Sequence, residues 1–160
     1  MINPQSKLCD IRWASPADWQ STMQMVWKTF LKYEADDYTE EGIHNFYDFL
    51  TNGRIHKMFL EGTYLMMIAL DDDRVIGQIS VRNGNHISLL FVDEDYHNKG
   101  VGRELINKMG DYLKCNRNEV YVSVKAAPYA VGFYRRLGFR ECSPEQEFSG
   151  IRVTSMQMFL

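Results

Sequence analysis

The feature that most constrains the fold is a central stretch, residues 86–106, in which an apolar segment runs through an acidic turn into a helix with glycines at its start. Residues 86–92 are rich in leucine, isoleucine, phenylalanine and valine, which predicts a buried strand. After Gly100, apolar residues recur at helical spacing and predict a helix with one buried side. The first turn of a helix exposes unpaired N–H groups, and Gly100 and Gly102 would let a ligand approach them closely. The stretch therefore predicts a site for a phosphate or pyrophosphate.

The positions of the glycines distinguish among known phosphate-binding loops. A Walker loop would have Lys-Ser/Thr after its last glycine, but Gly102 is followed by Arg103 and Glu104. A dinucleotide fingerprint would need a third glycine where Leu105 stands. Residues 97–102, His-Asn-Lys-Gly-Val-Gly, fit instead the pattern Gln/Arg-x-x-Gly-x-Gly/Ala after a strand. They resemble the coenzyme A pyrophosphate loop of the GNAT superfamily of N-acyltransferases, with an ordinary strand–helix turn as the alternative for this block alone.

A second block, residues 130–139, makes the resemblance specific. It reads Ala-Val-Gly-Phe-Tyr-Arg-Arg-Leu-Gly-Phe and is similar to the Ala-x-x-Phe-Tyr-x-x-x-Gly-Phe signature that closes the cofactor site in GNAT proteins. The two blocks occur in the family's order, each between a strand and its neighbour. The chain is therefore identified as a member of the GNAT (GCN5-related) superfamily of N-acetyltransferases, and the resemblance covers essentially the whole chain.

The predicted order of elements agrees with that resemblance. Periodicity and turn residues predict βααβββαβαββ, a mixed α/β chain in one domain spanning residues 1–160, with parallel pairing across the helical crossovers. The resemblance implies the GNAT fold, a mixed central sheet of six to seven strands with splayed fourth and fifth strands and about four flanking helices. Strands are predicted near 11–14, 64–70, 75–81, 86–92, 119–124, 139–142 and 151–160, and helices near 15–30, 39–50, 100–113 and 128–137, with a further helical turn at 54–61.

Composition argues against several classes of function. The 160 residues carry a net charge of −3, which gives no reason to expect nucleic acid or an anionic membrane as a partner. No apolar run approaches the ~18 residues that span a bilayer, and the N-terminus lacks the apolar core of a signal peptide. Cys9, Cys115 and Cys142 suggest neither a disulfide framework nor a metal site. We therefore expect a cytoplasmic protein with reduced thiols and no metal.

The resemblance implies a binding site for acetyl-CoA in two halves. At the end of the fourth strand, main-chain groups would pair with pantetheine as if it were a further strand, which tolerates apolar side chains. The glycine loop would hold the pyrophosphate through backbone N–H groups, and its lysine and arginine either add charge-assisted contacts or lie in solvent. The pantetheine half comprises Leu90, Phe91 and Val92, and the pyrophosphate half comprises His97, Asn98, Lys99, Gly100, Val101, Gly102 and Arg103.

Two candidate catalytic residues follow from the same resemblance. Tyr134 stands where many members place a tyrosine facing the cofactor sulfur, and a phenol of pKa ~10 can protonate a thiolate whose thiol has pKa ~8.5. An alkyl amine of pKa ~10.4 is mostly protonated at neutral pH, so a base is also needed. Many members carry a glutamate at the start of the fourth strand, where this chain has His86. Glu94 and a water relay are the alternatives to His86.

Two positions depart from the family pattern. His97 stands where glutamine or arginine is usual, although backbone-mediated binding should survive that change. Ala127 stands where many members carry an asparagine that contacts the cofactor, so one polar contact is missing. This departure leaves coenzyme affinity and the preferred acyl chain open.

The acceptor is less constrained. Residues 33–41 interleave five acids with tyrosines, which suits a cationic primary amine on a small molecule or a peptide; a solvated loop whose acids favour the start of a helix is the alternative. The leading hypothesis is direct acetyl transfer from acetyl-CoA to an amine, without a metal or a covalent enzyme intermediate. The alternative is a non-catalytic module of the same fold that binds acyl-CoA. The last strand is rich in methionine and could pair across a homodimer.

Overall fold

The computed structural model of the protein describes residues 9–148 and 150–160, which contain eight β-strands and five α-helices. The strands are β1 (Asp10–Trp13), β2 (Leu65–Asp71), β3 (Arg74–Arg82), β4 (His86–Val92), β5 (Tyr121–Ala126), β6 (Arg140–Glu141), β7 (Gln146–Phe148) and β8 (Ile151–Phe159). The helices are α1 (Trp19–Tyr33), α2 (Glu40–Thr51), α3 (Arg54–Glu61), α4 (Val101–Arg117) and α5 (Val131–Leu137).

The strands form one mixed sheet in the order β1-β2-β3-β4-β5-β8-β6, with β7 also paired to β8. β4 and β5 are parallel, because α4 crosses over between them, and the other pairs are antiparallel. This topology confirms the predicted GNAT fold. It adds the full helix α3, where the sequence predicts a further turn, and the short strand β7, whose three residues carry no strand pattern.

β4 and β5 pair only between the start of β4 and the middle of β5. Their register joins His86 with Ser123 and Ile87 with Val124, and both strands then continue without pairing further to each other. The strands therefore separate toward their C-terminal ends and leave a V-shaped opening in the middle of the sheet. The splay predicted for the fourth and fifth strands is confirmed.

A β-bulge at Ser88 changes the direction of β4 where the two strands part. In the register with β3, Ile87 lies opposite Val81 and Leu89 lies opposite Ser80, so Ser88 is an extra residue. Ile87 consequently packs into the core on one face of the sheet and Leu89 into the core on the other. Strict alternation would place residues two apart on the same face. The bulge thus redirects the β4 backbone beside the opening.

Helices cover both faces of the sheet. α1, α2 and α3 pack on one face, where they share a core with apolar side chains of β2 and β4, whereas α4 and α5 pack on the other. The apolar side predicted for α4 is buried as expected, and burying each such side chain contributes on the order of 1.5–3 kcal/mol. The buried residues of that side are Val101, Leu105, Ile106, Met109 and Leu113.

The helices that border the opening have defined ends. Before α1, the Asp18 carboxylate accepts the Ser15 backbone N–H at 2.7 Å. α1 ends with the Glu34 N–H bonded to the Phe30 carbonyl at 2.9 Å. Gly100 precedes α4 with a φ of +83°, a left-handed conformation that glycine adopts readily. Within the described parts of the chain, none of the helices combines the length and apolar character needed to cross a membrane.

Candidate active site

A cavity of about 620 Å³ occupies the opening between β4 and β5. Its wall includes the C-terminal end of α1 and part of α2, which cover one face of the sheet. It also includes the first turn of α4 and part of α5, which cover the opposite face. The cavity therefore passes through the sheet, and two molecules could enter it from opposite sides.

The loop before α4 presents backbone N–H groups to this cavity. Asn98 and Gly100 both have left-handed backbones, with φ of 58° and 83°. The first bond of the helix runs from the Glu104 N–H to the Gly100 carbonyl at 3.0 Å, so the N–H groups of residues 101–103 have no acceptor within the helix. These residues line the cavity at the positive end of a 17-residue helix dipole. The geometry suits a phosphate or pyrophosphate, as the sequence predicts.

The end of β4 forms the adjoining wall. Leu90, Phe91 and Val92 line the cavity, and their strand has no partner on its β5 side beyond Ile87. Main-chain groups on that edge are thus open to an extended ligand. Nε2–H of His97 donates a hydrogen bond to the Val92 carbonyl at 2.6 Å.

The structure brings nearly all the predicted coenzyme residues together. Lys99 is the exception, because it does not line the cavity and its Nζ lies 5.5 Å from the centre of the Tyr96 ring. The contacts of the predicted residues with coenzyme A stay a prediction. The residues that line the cavity are Leu90, Phe91, Val92, His97, Asn98, Gly100, Val101, Gly102 and Arg103.

Tyr134 lines the cavity from α5 and is 5% exposed. Its ring packs edge-on against Phe133 and Phe139, at 5.3 and 5.1 Å between ring centres, which fixes its position. Burial raises the pKa of its phenol above the ordinary value of 10, and the charge of nearby Glu34 raises it further. The Tyr134 phenol is therefore protonated at neutral pH and can act as a proton donor.

The two side chains that the sequence offers as a base, His86 and Glu94, lie outside the cavity wall. Nδ1 of His86 lies 2.8 Å from the Ser123 hydroxyl, and burial lowers the pKa of the ring, helped by the positive charges of Arg82 and Lys125. Glu94 forms an ion pair with Lys32 instead. The role of His86 as a base stays a prediction, since its position does not support direct proton transfer from a molecule in the cavity.

Sequence reasoning missed a buried acid on the opposite side of the cavity. Glu34 is 9% exposed and lines the wall together with Tyr38 and Tyr129. The pKa of Glu34 is raised from 4.5 to about 7, mainly by burial. Hydrogen bonding to the Tyr129 phenol lowers this pKa, and the negative charge of Asp37 raises it. The sequence signal was present only as an acidic segment, which did not single out Glu34 or reveal its tyrosine neighbours.

A protein with a named activity matches part of this chain. The peptidyl-lysine N-acetyltransferase YjaB of Salmonella typhimurium is 29% identical to it over 103 residues, which are 59% of this chain and 66% of that protein. Curated relatives are matched over only part of their own lengths, from 30% to 66%.

Solved structures match the fold over nearly the whole chain. A GCN5-related N-acetyltransferase from Rhodopseudomonas palustris superimposes with a TM-score of 0.83 at 23% identity, covering 99% of both chains. PaiA N-acetyltransferase from Thermoplasma acidophilum, solved with coenzyme A, gives 0.80 at 16% identity, covering 95% of this chain and 99% of its own. Residues 34–160 also match the family model described as an acetyltransferase (GNAT) domain. Because that model covers most of the sequence, the chain belongs to the GNAT superfamily, as the two sequence blocks indicate.

Proposed function

We propose that this protein transfers the acetyl group of acetyl-CoA directly to a primary amine. The observation that carries this proposal is the cavity through the sheet. It joins a helix start suited to phosphate on one face to a buried carboxyl group on the other, with Tyr134 in its wall. Direct transfer needs the two substrates to meet, and a passage open to both faces of the sheet lets them do so.

The coenzyme half of the cavity fits acetyl-CoA, which supplies the thioester. Backbone N–H groups of residues 101–103 would hold the pyrophosphate, and Arg103 can add charge from the same turn. The free edge of β4 at Leu90, Phe91 and Val92 would pair with the pantetheine amides. N–H groups beside the bulge at Ser88 would polarise the thioester carbonyl, as an oxyanion site does.

Tyr134 is the proposed proton donor to the departing thiolate. Its raised pKa keeps the phenol protonated at neutral pH, and its packing holds the hydroxyl at the cavity. His86, the base suggested by the resemblance, has a lowered pKa and is neutral at neutral pH, which a base requires. It lies outside the wall, so as a base it could reach the amine only through an intervening water.

The acceptor is proposed to be a primary amine on a small molecule or on a peptide. The relative named a peptidyl-lysine N-acetyltransferase supports an alkyl amine such as a lysine side chain. A cytoplasmic location and a homodimer are further proposals carried over from the sequence.

The test is the release of free thiol from acetyl-CoA with a panel of alkyl monoamines, polyamines and lysine peptides, with the acetylated product identified by mass spectrometry. Tyr134→Phe should lower kcat roughly 10²–10³-fold and leave the Kd for coenzyme A unchanged, because only the proton donor is lost. Tyr121→Phe, on an exposed tyrosine of β5 outside the cavity, is the matched control. Wild-type protein that binds acetyl-CoA yet acetylates no amine would establish the non-catalytic alternative instead.

A further inference from the structure

The five acids of residues 33–41 do not share one environment. Glu34 is the one that lines the cavity, where it is 9% exposed. Asp37 lies 3.5 Å from Arg152 in an ion pair, and the other three acids lie outside the cavity wall. Of these five acids, therefore, only Glu34 is placed to contact a cation inside the cavity.

Glu34 has no cationic partner among the residues that the structure describes. No lysine, arginine or histidine nitrogen there lies within 4.0 Å of its carboxylate. The other buried acid, Asp93, is compensated by Arg74 at 3.1 Å. An unpaired buried carboxylate is costly, and a cationic ligand would remove that cost. The arrangement is complementary to an ammonium group.

The surroundings of Glu34 favour a cation as well. Glu34 follows the last residue of α1, so the negative end of a 15-residue helix dipole lies at this part of the cavity. Tyr38, Phe46 and Tyr129 contribute aromatic side chains to the same wall. Aromatic faces attract ammonium groups and also pack against an alkyl chain.

We propose that Glu34 binds the ammonium group of the acceptor and removes its proton, the role that the sequence resemblance assigns to His86. The inference rests on the proposed acetyl transfer and adds the substrate class: an alkyl primary amine that brings one positive charge to the reacting end. Any second charge on the acceptor would remain near the surface acids of residues 33–41.

The proton transfers balance. Glu34 takes one proton from the ammonium group, which frees a nitrogen lone pair to form the C–N bond with the thioester carbonyl carbon. The C–S bond breaks, and the sulfur leaves with the bonding pair and takes the proton of Tyr134. The Tyr134 phenolate recovers a proton from the new amide nitrogen, and Glu34 releases its proton to water. The net products are an N-alkyl acetamide, a free thiol and one proton.

Burial makes Glu34 a stronger base than an exposed glutamate. An ammonium of pKa ~10.4 and an exposed glutamate of pKa ~4.3 differ by about six units. For Glu34, with a pKa of about 7, the difference falls to about three, so proton transfer is correspondingly less unfavourable. Glu34 and Tyr134 line the same cavity, and the charge of Glu34 raises the pKa of the Tyr134 phenol.

The test compares Glu34→Gln with Glu61→Gln, an exposed acid at the end of α3 outside the cavity. Glutamine keeps the shape of Glu34 and removes its charge. At pH 7, kcat/KM for butylamine should fall roughly 10²–10³-fold in Glu34→Gln and change less than about twofold in Glu61→Gln. In the pH profile of kcat/KM, the wild-type protein should show an acid limb near pH 7 that Glu34→Gln lacks. For Glu34→Gln, kcat/KM should instead rise continuously as the pH approaches the pKa of the amine.

A binding measurement separates this inference from the proposed function. Ligand-observed NMR would give the Kd of butylamine for protein saturated with coenzyme A, and Glu34→Gln should weaken it at least tenfold. If wild-type protein acetylates amines but Glu34→Gln keeps its rate within threefold and retains the acid limb, the inference is overturned and the function stands. If no amine is acetylated, the function fails; the ammonium site then stands or falls on whether Glu34→Gln weakens butylamine binding.

Discussion

Two helix ends of opposite polarity face the same cavity. α4 begins there, and residues 100–103 present its positive end and free N–H groups. α1 finishes there, and its negative end lies beside the carboxyl group of Glu34. A phosphate would be stabilised at the first end and an ammonium at the second, so the cavity is polarised along its length. The fold thereby orients two oppositely charged substrates before any side chain reacts.

The two ends also differ in what they are made of. The α4 end depends on the main chain, since Asn98 and Gly100 in left-handed conformations aim consecutive N–H groups into the cavity. The α1 end depends on side chains from separate segments, namely Glu34, Tyr38 and Tyr129. Conformation should therefore control coenzyme binding, whereas charge should control acceptor binding.

The largest expected change in ligand affinity tests the main-chain end. Gly100→Val puts a β-branched residue at a φ of +83°, which costs roughly 1–3 kcal/mol of strain or forces the loop to move. A moved loop misaligns the N–H groups of residues 101–103, so the Kd for coenzyme A, measured by calorimetry, should rise about 10–100-fold.

Gly53→Val is the matched control for that change. Gly53 also precedes a helix, has a φ of +86° and, like Gly100, has nothing within 4 Å of an added Cβ. Gly53 lies before α3, away from the cavity. The Gly53→Val protein should therefore lose a similar amount of stability and keep its affinity for coenzyme A. Equal loss of affinity in both variants would mean that general destabilisation, and not loop conformation, governs binding.

This contrast explains how far the sequence could be interpreted. The α4 end was predictable because its residues are contiguous and a glycine pattern encodes their conformation. The α1 end was not, because Glu34 and Tyr129 are distant in sequence and meet only once α1 lies over the opening between β4 and β5. Counting back along β4 to His86 gave its place in the strand, but the bulge at Ser88 changes which face each residue occupies.

A second comparison tests the side-chain end through the free energy of unfolding. Because the pKa of Glu34 is raised from 4.5 to about 7, the folded state holds a proton between these values that the unfolded state has lost. The free energy of unfolding of wild-type protein should therefore fall as pH rises through this window, by on the order of 3 kcal/mol from this group. The free energy of unfolding of Glu34→Gln should not show this decrease. The variant should therefore be more stable than wild type at pH 8, and the two proteins should differ little near pH 4.5.

Urea unfolding of both proteins across this pH range measures the effect, with Glu61→Gln following the wild-type curve. A gain in stability combined with a loss of acetyl transfer would show that the buried charge is retained for function at a cost to the fold. Parallel curves for wild type and Glu34→Gln would contradict the burial of an unpaired charge at this site.

The smallest expected effect tests whether an added side chain can increase the coenzyme affinity that the main-chain end provides. Ala127 lines the cavity beside the end of β5 and is 9% exposed, where many superfamily members carry an asparagine. One net hydrogen bond contributes about 1 kcal/mol, so Ala127→Asn should tighten coenzyme A binding by up to about fivefold. Ala130→Asn, three residues further along the same wall, is the control for adding an amide without the matching position. If Ala127→Asn instead weakens binding, the wall at this position is too closely packed for the added amide, and coenzyme affinity there depends on the main chain alone.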